Sequence, residues 1–142
     1  MKTLTRAVGL LLAWSLFMST AVDHVPAATV DRSILEAGES LTPGQELTST
    51  DGLHTLTMQA DGNLVLRSGD ETAWESGTAV PGSTLVAQAD GNMVIRAPGG
   101  QPVWATGTAA VVPARLELHE DGIVQVHDGA DTVRWVAPAP LA

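Results

Sequence analysis

The sequence predicts an all-β fold, and three observations support this prediction. No convincing helix start occurs in residues 29–142, where glycines are spread evenly along the chain. Short alternations of apolar and polar residues lie between turn residues, a pattern typical of half-buried strands. Related segments also recur, since Trp74, Trp104 and Trp135 are 30 and 31 residues apart. Residues 29–142 are therefore expected to form one domain built from three similar β units of about thirty residues.

Residues 1–28 are predicted to be a signal peptide. Lys2 and Arg6 precede an apolar run over residues 7–18, which is too short to span a membrane. Small residues follow and suit a signal peptidase, so cleavage is expected near residues 21–28. A buried core helix is the weaker alternative, because the run lies at the terminus behind two cations. No later apolar stretch is long enough to act as an anchor, so the mature chain is expected to be secreted and to lack a membrane span.

The composition of the mature chain argues against several classes of partner and chemistry. Removing residues 1–28 leaves five arginines and fifteen carboxylates, a net charge of −10, which disfavours binding to nucleic acid or an anionic membrane. The chain has no cysteine, so the fold depends on its hydrophobic core alone. The histidines show no zinc-ligand spacing, and neither a nucleophile motif nor a positioned carboxylate pair is evident. No metal, no cofactor and no enzymatic activity are expected.

Each unit carries a hairpin with an Asp-Gly turn. The segment Met58–Arg67 is repeated as Ala87–Arg96, and a more divergent third copy occupies Leu118–His127. Residues 60–62 suit a three-residue turn that ends in a left-handed glycine. The hairpin then brings two amides and a carboxylate together at its tip.

Strand alternation divides the side chains of the first hairpin between two faces. One face is predicted to point into a core and carries Met58, Leu64, Leu66 and Trp74. The opposite face carries Gln59, Asn63, Val65 and Arg67. Because a single small sheet cannot bury a face alone, three sheets are expected to pack around a pseudo-threefold axis, with the three strand tryptophans in their shared core.

The hairpin sequences resemble the Gln-x-Asp-x-Asn-x-Val-x-Tyr signature of the bulb-type mannose-binding lectins, the B-lectin domain family. The resemblance covers residues 33–136, including an opening segment that runs from Ile34 to Leu47. The pattern of this segment itself predicts one or two short strands bent around Gly38 and Gly44. The resemblance implies a β-prism II fold, in which three four-stranded antiparallel sheets surround a pseudo-threefold axis. The carbohydrate-binding residues that it implies are Gln59, Asp61, Asn63 and Val65 in repeat 1, and Gln88, Asp90, Asn92 and Val94 in repeat 2. Arg67 and Arg96, at the position of the motif's tyrosine, are further candidates: an arginine there could contact a sugar hydroxyl, favour an acidic sugar, or only pair with a carboxylate such as Asp70.

In that family the polar groups of the motif hydrogen-bond the hydroxyls of mannose, while the valine packs on the carbon face of the sugar. This chain departs from the pattern at the final tyrosine, which is Arg67, Arg96 and His127 in the three repeats. Repeat 3 also lacks the glutamine, the asparagine and the valine, so it is interpreted as structural only. The prediction is a secreted lectin that binds mannose or mannose-containing glycans through repeats 1 and 2.

Two alternatives remain open at this point. Asp61-Gly62-Asn63 could be a hairpin turn and nothing more, since Asp-Gly serves that purpose in any β protein. The domain could also be a non-catalytic protein-interaction or assembly module with vestigial sugar sites. Family members commonly dimerise by exchanging a C-terminal strand, so residues 131–136 are a candidate homodimer interface.

Overall fold

Residues 32–110 and 112–138 are described by a computed structural model of the protein. The predicted signal peptide lies outside these residues. Nothing in the described part of the chain is a helix capable of crossing a membrane. The described residues form twelve strands, which are β1 (Ile34–Glu36), β2 (Ser40–Leu41), β3 (Glu46–Thr48), β4 (His54–Met58), β5 (Leu64–Ser68), β6 (Glu71–Glu75), β7 (Thr84–Ala87), β8 (Met93–Arg96), β9 (Pro102–Ala105), β10 (Ala114–Leu118), β11 (Val124–Asp128) and β12 (Val133–Ala137).

The strands form three antiparallel sheets of four strands each. Repeat 1 contributes the sheet β3-β4-β5-β6, while repeats 2 and 3 form most of the sheets β2-β7-β8-β9 and β1-β10-β11-β12. In each sheet the strand that precedes the Asp-Gly turn pairs with the strand that follows it. The all-β prediction and the expected β-prism II arrangement are therefore confirmed.

The opening segment, strands β1 to β3, contains more strands than the sequence predicted. One or two short bent strands were expected there, but the segment forms three, and each pairs with a different sheet. Leu35, Leu41 and Leu47 lie six residues apart, one on each strand, and all three are fully buried. Strands of two or three residues are too short for a sequence pattern to resolve. The segment thus contributes one strand to each sheet and connects the three sheets.

The predicted core residues of the first hairpin are buried. Met58, Leu64 and Leu66 expose at most 2% of their surface. The three tryptophans are half-buried and pack against this core. Their ring centroids lie 5.7 Å apart in every pair, with edge-to-face geometry, an arrangement that aromatic rings favour. The prediction that the tryptophans meet at the pseudo-threefold axis is confirmed.

The Asp-Gly turns have the predicted left-handed glycine. Gly62, Gly91 and Gly122 have φ angles of 94°, 95° and 83°, a region that residues with a Cβ atom rarely adopt. At Gly62 space is a second constraint, because a Cβ atom there would lie 2.2 Å from the carbonyl oxygen of Val80. Each turn therefore holds its polar neighbours in a fixed position.

Candidate functional site

The predicted site residues lie on the outer faces of the hairpins β4–β5 and β7–β8. A register shift occurs at the same point of each repeat, just before Arg67, Arg96 and His127. Such bulges turn the following side chain away from regular alternation. The residue that replaces the family tyrosine therefore has the same backbone setting in all three repeats.

The aspartate of each turn has a structural role. Asp61, Asp90 and Asp121 each accept a hydrogen bond through Oδ1 from the backbone N–H two residues further on, at 3.0, 3.0 and 3.1 Å. This is the turn chemistry expected of aspartate, and repeat 3 retains it. Within the described residues the Oδ2 atoms of these carboxylates accept no hydrogen bond, so one oxygen of each remains available for a ligand.

The asparagines fasten the loop that follows the outer strand. Asn63 Oδ1 accepts hydrogen bonds from Ser76 Oγ at 3.1 Å and from the N–H of Gly77 at 3.0 Å. Asn92 Oδ1 accepts them from the N–H groups of Gly107 and Thr108, at 2.9 and 3.1 Å. Sequence reasoning missed this role, although the repeated segments 76–78 and 106–108 were its signal. Only the Nδ2 donors of the two asparagines face outward for recognition.

Those two donors differ between the repeats. Asn63 Nδ2 donates to Glu75 Oε1 at 2.8 Å. In repeat 2 the position of Glu75 is occupied by Ala105, and within the described residues Asn92 Nδ2 has no acceptor. Repeat 1 therefore retains one N–H of this amide for a ligand, whereas repeat 2 retains both.

The glutamine and arginine of repeat 2 are linked to each other. With the Gln88 amide oriented to satisfy its neighbours, its nitrogen donates to Asp90 Oδ1 at 3.1 Å and its oxygen accepts from Arg96 Nη2 at 2.6 Å. Arg96 Nη1 also donates to the carbonyl of Gly100 at 2.7 Å. Both the nitrogen and the oxygen of the Gln88 amide thus form hydrogen bonds within the protein.

In repeat 1 the same two positions are separate. The Gln59 side chain makes no hydrogen bond to any described residue. Arg67 has a long contact of 3.4 Å between Nη1 and Thr72 Oγ1. The Gln59 amide can therefore donate and accept toward a ligand without first breaking an internal bond.

The two valines are less accessible than the resemblance implies. Val65 and Val94 are each 3% exposed, so their methyl groups contact mainly protein. Strand pairing explains this burial, because Val65 lies between Thr57 and Glu75 on the flanking strands. Val94 likewise has a strand on each side. Only a small part of each valine is therefore open to a sugar.

Repeat 3 has a different set of groups at these positions. His119 replaces the glutamine and His127 replaces the arginine, and their Nε2 atoms lie 3.2 Å apart. Ile123 and Gln125 occupy the asparagine and valine positions. Repeat 3 therefore keeps the turn with its aspartate, while other residues stand at the remaining motif positions.

Comparison with solved structures defines the class of protein. A lectin from Marasmius oreades superposes with a TM-score of 0.73 at 25% identity, covering 78% of this chain and 94% of that one. A monomeric mannose-binding lectin from the monocot Gastrodia elata superposes with a TM-score of 0.69 at 32% identity, covering 77% and 99%. The snowdrop (Galanthus nivalis) mannose-specific agglutinin, solved with methyl-α-D-mannoside, gives 0.64 at 31% identity, covering 78% and 99%.

These similarities place the molecule among the β-prism II lectins. The chain belongs to the bulb-type mannose-binding lectin family, as its hairpin motifs indicated. The similar proteins are lectins, which supports the prediction that this chain is not an enzyme. No protein-family model matches the chain, and no curated protein sequence matches it.

Proposed function

We propose that this chain is a secreted lectin that binds mannose or mannose-containing glycans through repeats 1 and 2. One observation carries the proposal: the Gln-x-Asp-x-Asn-x-Val hairpin occurs twice, on the same outer face of two sheets in a bulb-lectin prism. The turn alone would not require Gln59 or Gln88. Repeat 3 supports this argument, because it keeps the aspartate and glycine of the turn while its other motif residues differ.

The groups left free at the hairpins suit a hexose. Adjacent sugar hydroxyls each donate and accept, and they are matched by amides and by an ionised carboxylate oxygen. Repeat 1 offers the Gln59 amide, Asp61 Oδ2 and one N–H of Asn63. Repeat 2 offers Asp90 Oδ2 and both N–H groups of Asn92, while Gln88 must first release Arg96. We therefore assign the stronger site to repeat 1.

Binding at a shallow face of this kind is expected to be weak for a single sugar. Two sites on one chain raise the affinity for a branched or clustered glycan, because the second contact forms at a high effective concentration. Secretion, which follows from the predicted signal peptide, would give the domain access to such surface glycans. The strong negative charge adds no attraction for nucleic acid.

The test is calorimetric titration of the purified chain with methyl-α-D-mannoside, followed by a glycan array. Asp61→Asn and Asp90→Asn are the informative variants. An Asn side chain retains the Oδ1 acceptor that closes the turn but removes the charge offered to a ligand. We expect each variant to weaken mannose binding at its own repeat, with the larger loss for Asp61→Asn.

Asp121→Asn is the matched control, because it makes the same change at the same turn of repeat 3. It should leave mannose affinity unchanged. The proposal fails if neither monosaccharide nor glycan binds at millimolar concentration. It also fails if Asp121→Asn weakens binding as much as the other two variants do.

A protein-interaction module is the second candidate function, favoured by the internal Gln88–Arg96 bond that occupies the repeat 2 site. Exchange of the C-terminal strand with a second copy is the assembly that we would propose for it. Within one chain β12 already pairs with β11, so exchange would replace those pairs by equivalent ones between copies. A concentration-dependent dimer in sedimentation, with no glycan bound, would favour this second function.

A further inference from the structure

We propose that Glu117, His119 and His127 of repeat 3 form a binding site for a divalent transition-metal ion, with Zn²⁺ as the best fit. One carboxylate oxygen and two imidazole nitrogens converge there, with all ligand atoms within 4.8 Å of one another. The site lies where repeats 1 and 2 carry their sugar-facing residues, and it is independent of mannose binding.

The spacing of the three ligand atoms fits a metal ion. The Nε2 atoms of His119 and His127 are 3.2 Å apart. Glu117 Oε1 lies 3.9 Å from His119 Nε2 and 3.7 Å from His127 Nε2. A point about 2.1 Å from all three atoms satisfies these distances, which is the usual length of Zn–N and Zn–O bonds. The separations of the three ligand atoms therefore suit an ion, which would replace the hydrogen bond between the two imidazoles.

The chemistry of the ligands selects the class of ion. Two imidazoles and one carboxylate are borderline ligands that suit Zn²⁺, Ni²⁺ or Cu²⁺, whereas Ca²⁺ and Mg²⁺ require oxygen ligands. Three protein ligands leave at least one coordination position for water or for an exogenous group. Glu117 and His119 are 23% and 32% exposed in their side chains, so an ion can enter from solvent.

The surroundings of the cluster set its expected strength. Arg115 Nε lies 3.5 Å from Glu117 Oε1, but its guanidinium also donates to Asp131 at 2.7 Å. That second carboxylate offsets the positive charge beside the site. His127 Nδ1 is buried without a partner among the described residues, so this ligand lacks the outer hydrogen bond that most metal-binding histidines have. We therefore expect micromolar affinity, weaker than that of a four-ligand structural zinc site.

The pseudo-symmetry of the fold explains why these histidines meet. In repeat 2 the equivalent residues Gln88 and Arg96 already contact each other across the same face. Replacing that pair by two imidazoles keeps a hydrogen bond across the face, now between the two Nε2 atoms at 3.2 Å, and a bound ion would take the place of the proton between them. Glu117 lies on β10, opposite Gln125. Its position corresponds to Thr57 and Val86, neither of which is a strong metal ligand.

The test is titration of the full chain, produced without a polyhistidine tag, with Zn²⁺ by calorimetry and with Co²⁺ by visible absorption. We expect one Zn²⁺ per chain and a Co²⁺ spectrum of a four- or five-coordinate ion. His119→Gln and His127→Arg install the residues found in repeats 1 and 2. Loss of a direct ligand should lower Zn²⁺ affinity by more than about tenfold, the smallest effect typical of losing an outer partner.

His54→Gln is the control, since His54 bonds Ser68 and the Glu120 carbonyl outside the cluster. It should bind Zn²⁺ with unchanged affinity. His119 is half-exposed, so His119→Gln keeps the test decisive even if His127→Arg does not fold. The proposal is overturned if the wild-type chain binds no Zn²⁺ at millimolar concentration. It is also overturned if folded His119→Gln binds Zn²⁺ as tightly as the wild type.

Discussion

His119 Nε2 and His127 Nε2 lie 3.2 Å apart, at the positions where Gln88 and Arg96 of repeat 2 are joined by a 2.6 Å hydrogen bond. The hairpin thus brings together two side chains that are eight residues apart. The identity of these two side chains decides what the face presents. In repeat 2 an internal hydrogen bond occupies it, whereas in repeat 3 it carries a pair of imidazoles. In repeat 1 the corresponding Gln59 is left free for a ligand.

Restoring the family tyrosine should strengthen mannose binding. Arginine has donors only, whereas a tyrosine hydroxyl both donates and accepts. Arg67→Tyr should add one hydrogen bond to the sugar, worth about 1 kcal/mol or roughly fivefold in affinity. Arg96→Tyr should gain more, because it also releases the Gln88 amide. Calorimetric titration with methyl-α-D-mannoside measures both effects.

His127→Tyr is the control for these two variants, because repeat 3 also lacks the asparagine and the valine. It should leave mannose affinity unchanged. A weaker affinity in Arg67→Tyr than in the wild type would mean that the guanidinium itself contacts the sugar.

Gly62→Ala should destabilise the fold by more than the same change at Gly52. Both glycines have positive φ, 94° and 77°, so alanine is strained at either, by roughly 1 to 2 kcal/mol. At Gly62 the new Cβ would also lie 2.2 Å from the Val80 carbonyl oxygen, whereas Gly52 has open space. Overpacking of this kind adds about 1 to 3 kcal/mol. Equal free energies of unfolding in urea for the two variants would show that the collision is absent.

Asp128 should contribute acid-sensitive stability to the β11–β12 hairpin. The N–H of Thr132 and the Arg134 guanidinium hold the pKa of this carboxyl below its ordinary value of 3.8. A carboxyl with a lowered pKa in the folded state stabilises the fold above its ordinary pKa, and this contribution is lost as the pH falls through the folded value. Asp128→Asn should therefore be less stable than the wild type at neutral pH.

The difference between Asp128→Asn and the wild type should shrink as the pH falls below the ordinary pKa of 3.8. Urea unfolding at several pH values measures it. Asp70→Asn provides a comparison at an exposed turn carboxylate, where a smaller change is expected. A difference for Asp128→Asn that stays constant with pH would contradict the role given to its charge.

The architecture could be predicted from the sequence because it is repeated. The spacing of Trp74, Trp104 and Trp135 implied three units and a shared axis, and Gly62 implied a left-handed turn. These features depend on local backbone chemistry and on periodicity, which a single sequence displays. Strands β1 to β3 were under-counted because each is too short to show alternation.

The state of each site could not be predicted, because it depends on contacts between strands. The motif does not reveal that Asn63 Oδ1 fastens the loop at Gly77, nor that Val65 is covered by its neighbours. It also does not reveal that Arg96 binds Gln88 while Arg67 leaves Gln59 free. The histidines of repeat 3 show no zinc-ligand spacing in the sequence. His119 follows β10 and His127 lies on β11, so the two side chains meet only when these strands pair.

The opening segment should be a main source of stability, because it joins all three sheets. Leu41 is fully buried on β2, the shortest strand, which pairs with β7 through only two residues. Leu41→Ala removes buried methyl groups where β2 meets the common core, so a loss of about 2 to 5 kcal/mol is expected. Leu53→Ala is the matched control, since Leu53 is 63% exposed and should change stability by less than about 0.5 kcal/mol. If β2 were only loosely docked, the core would relax around the smaller side chain. The two variants would then unfold at similar urea concentrations.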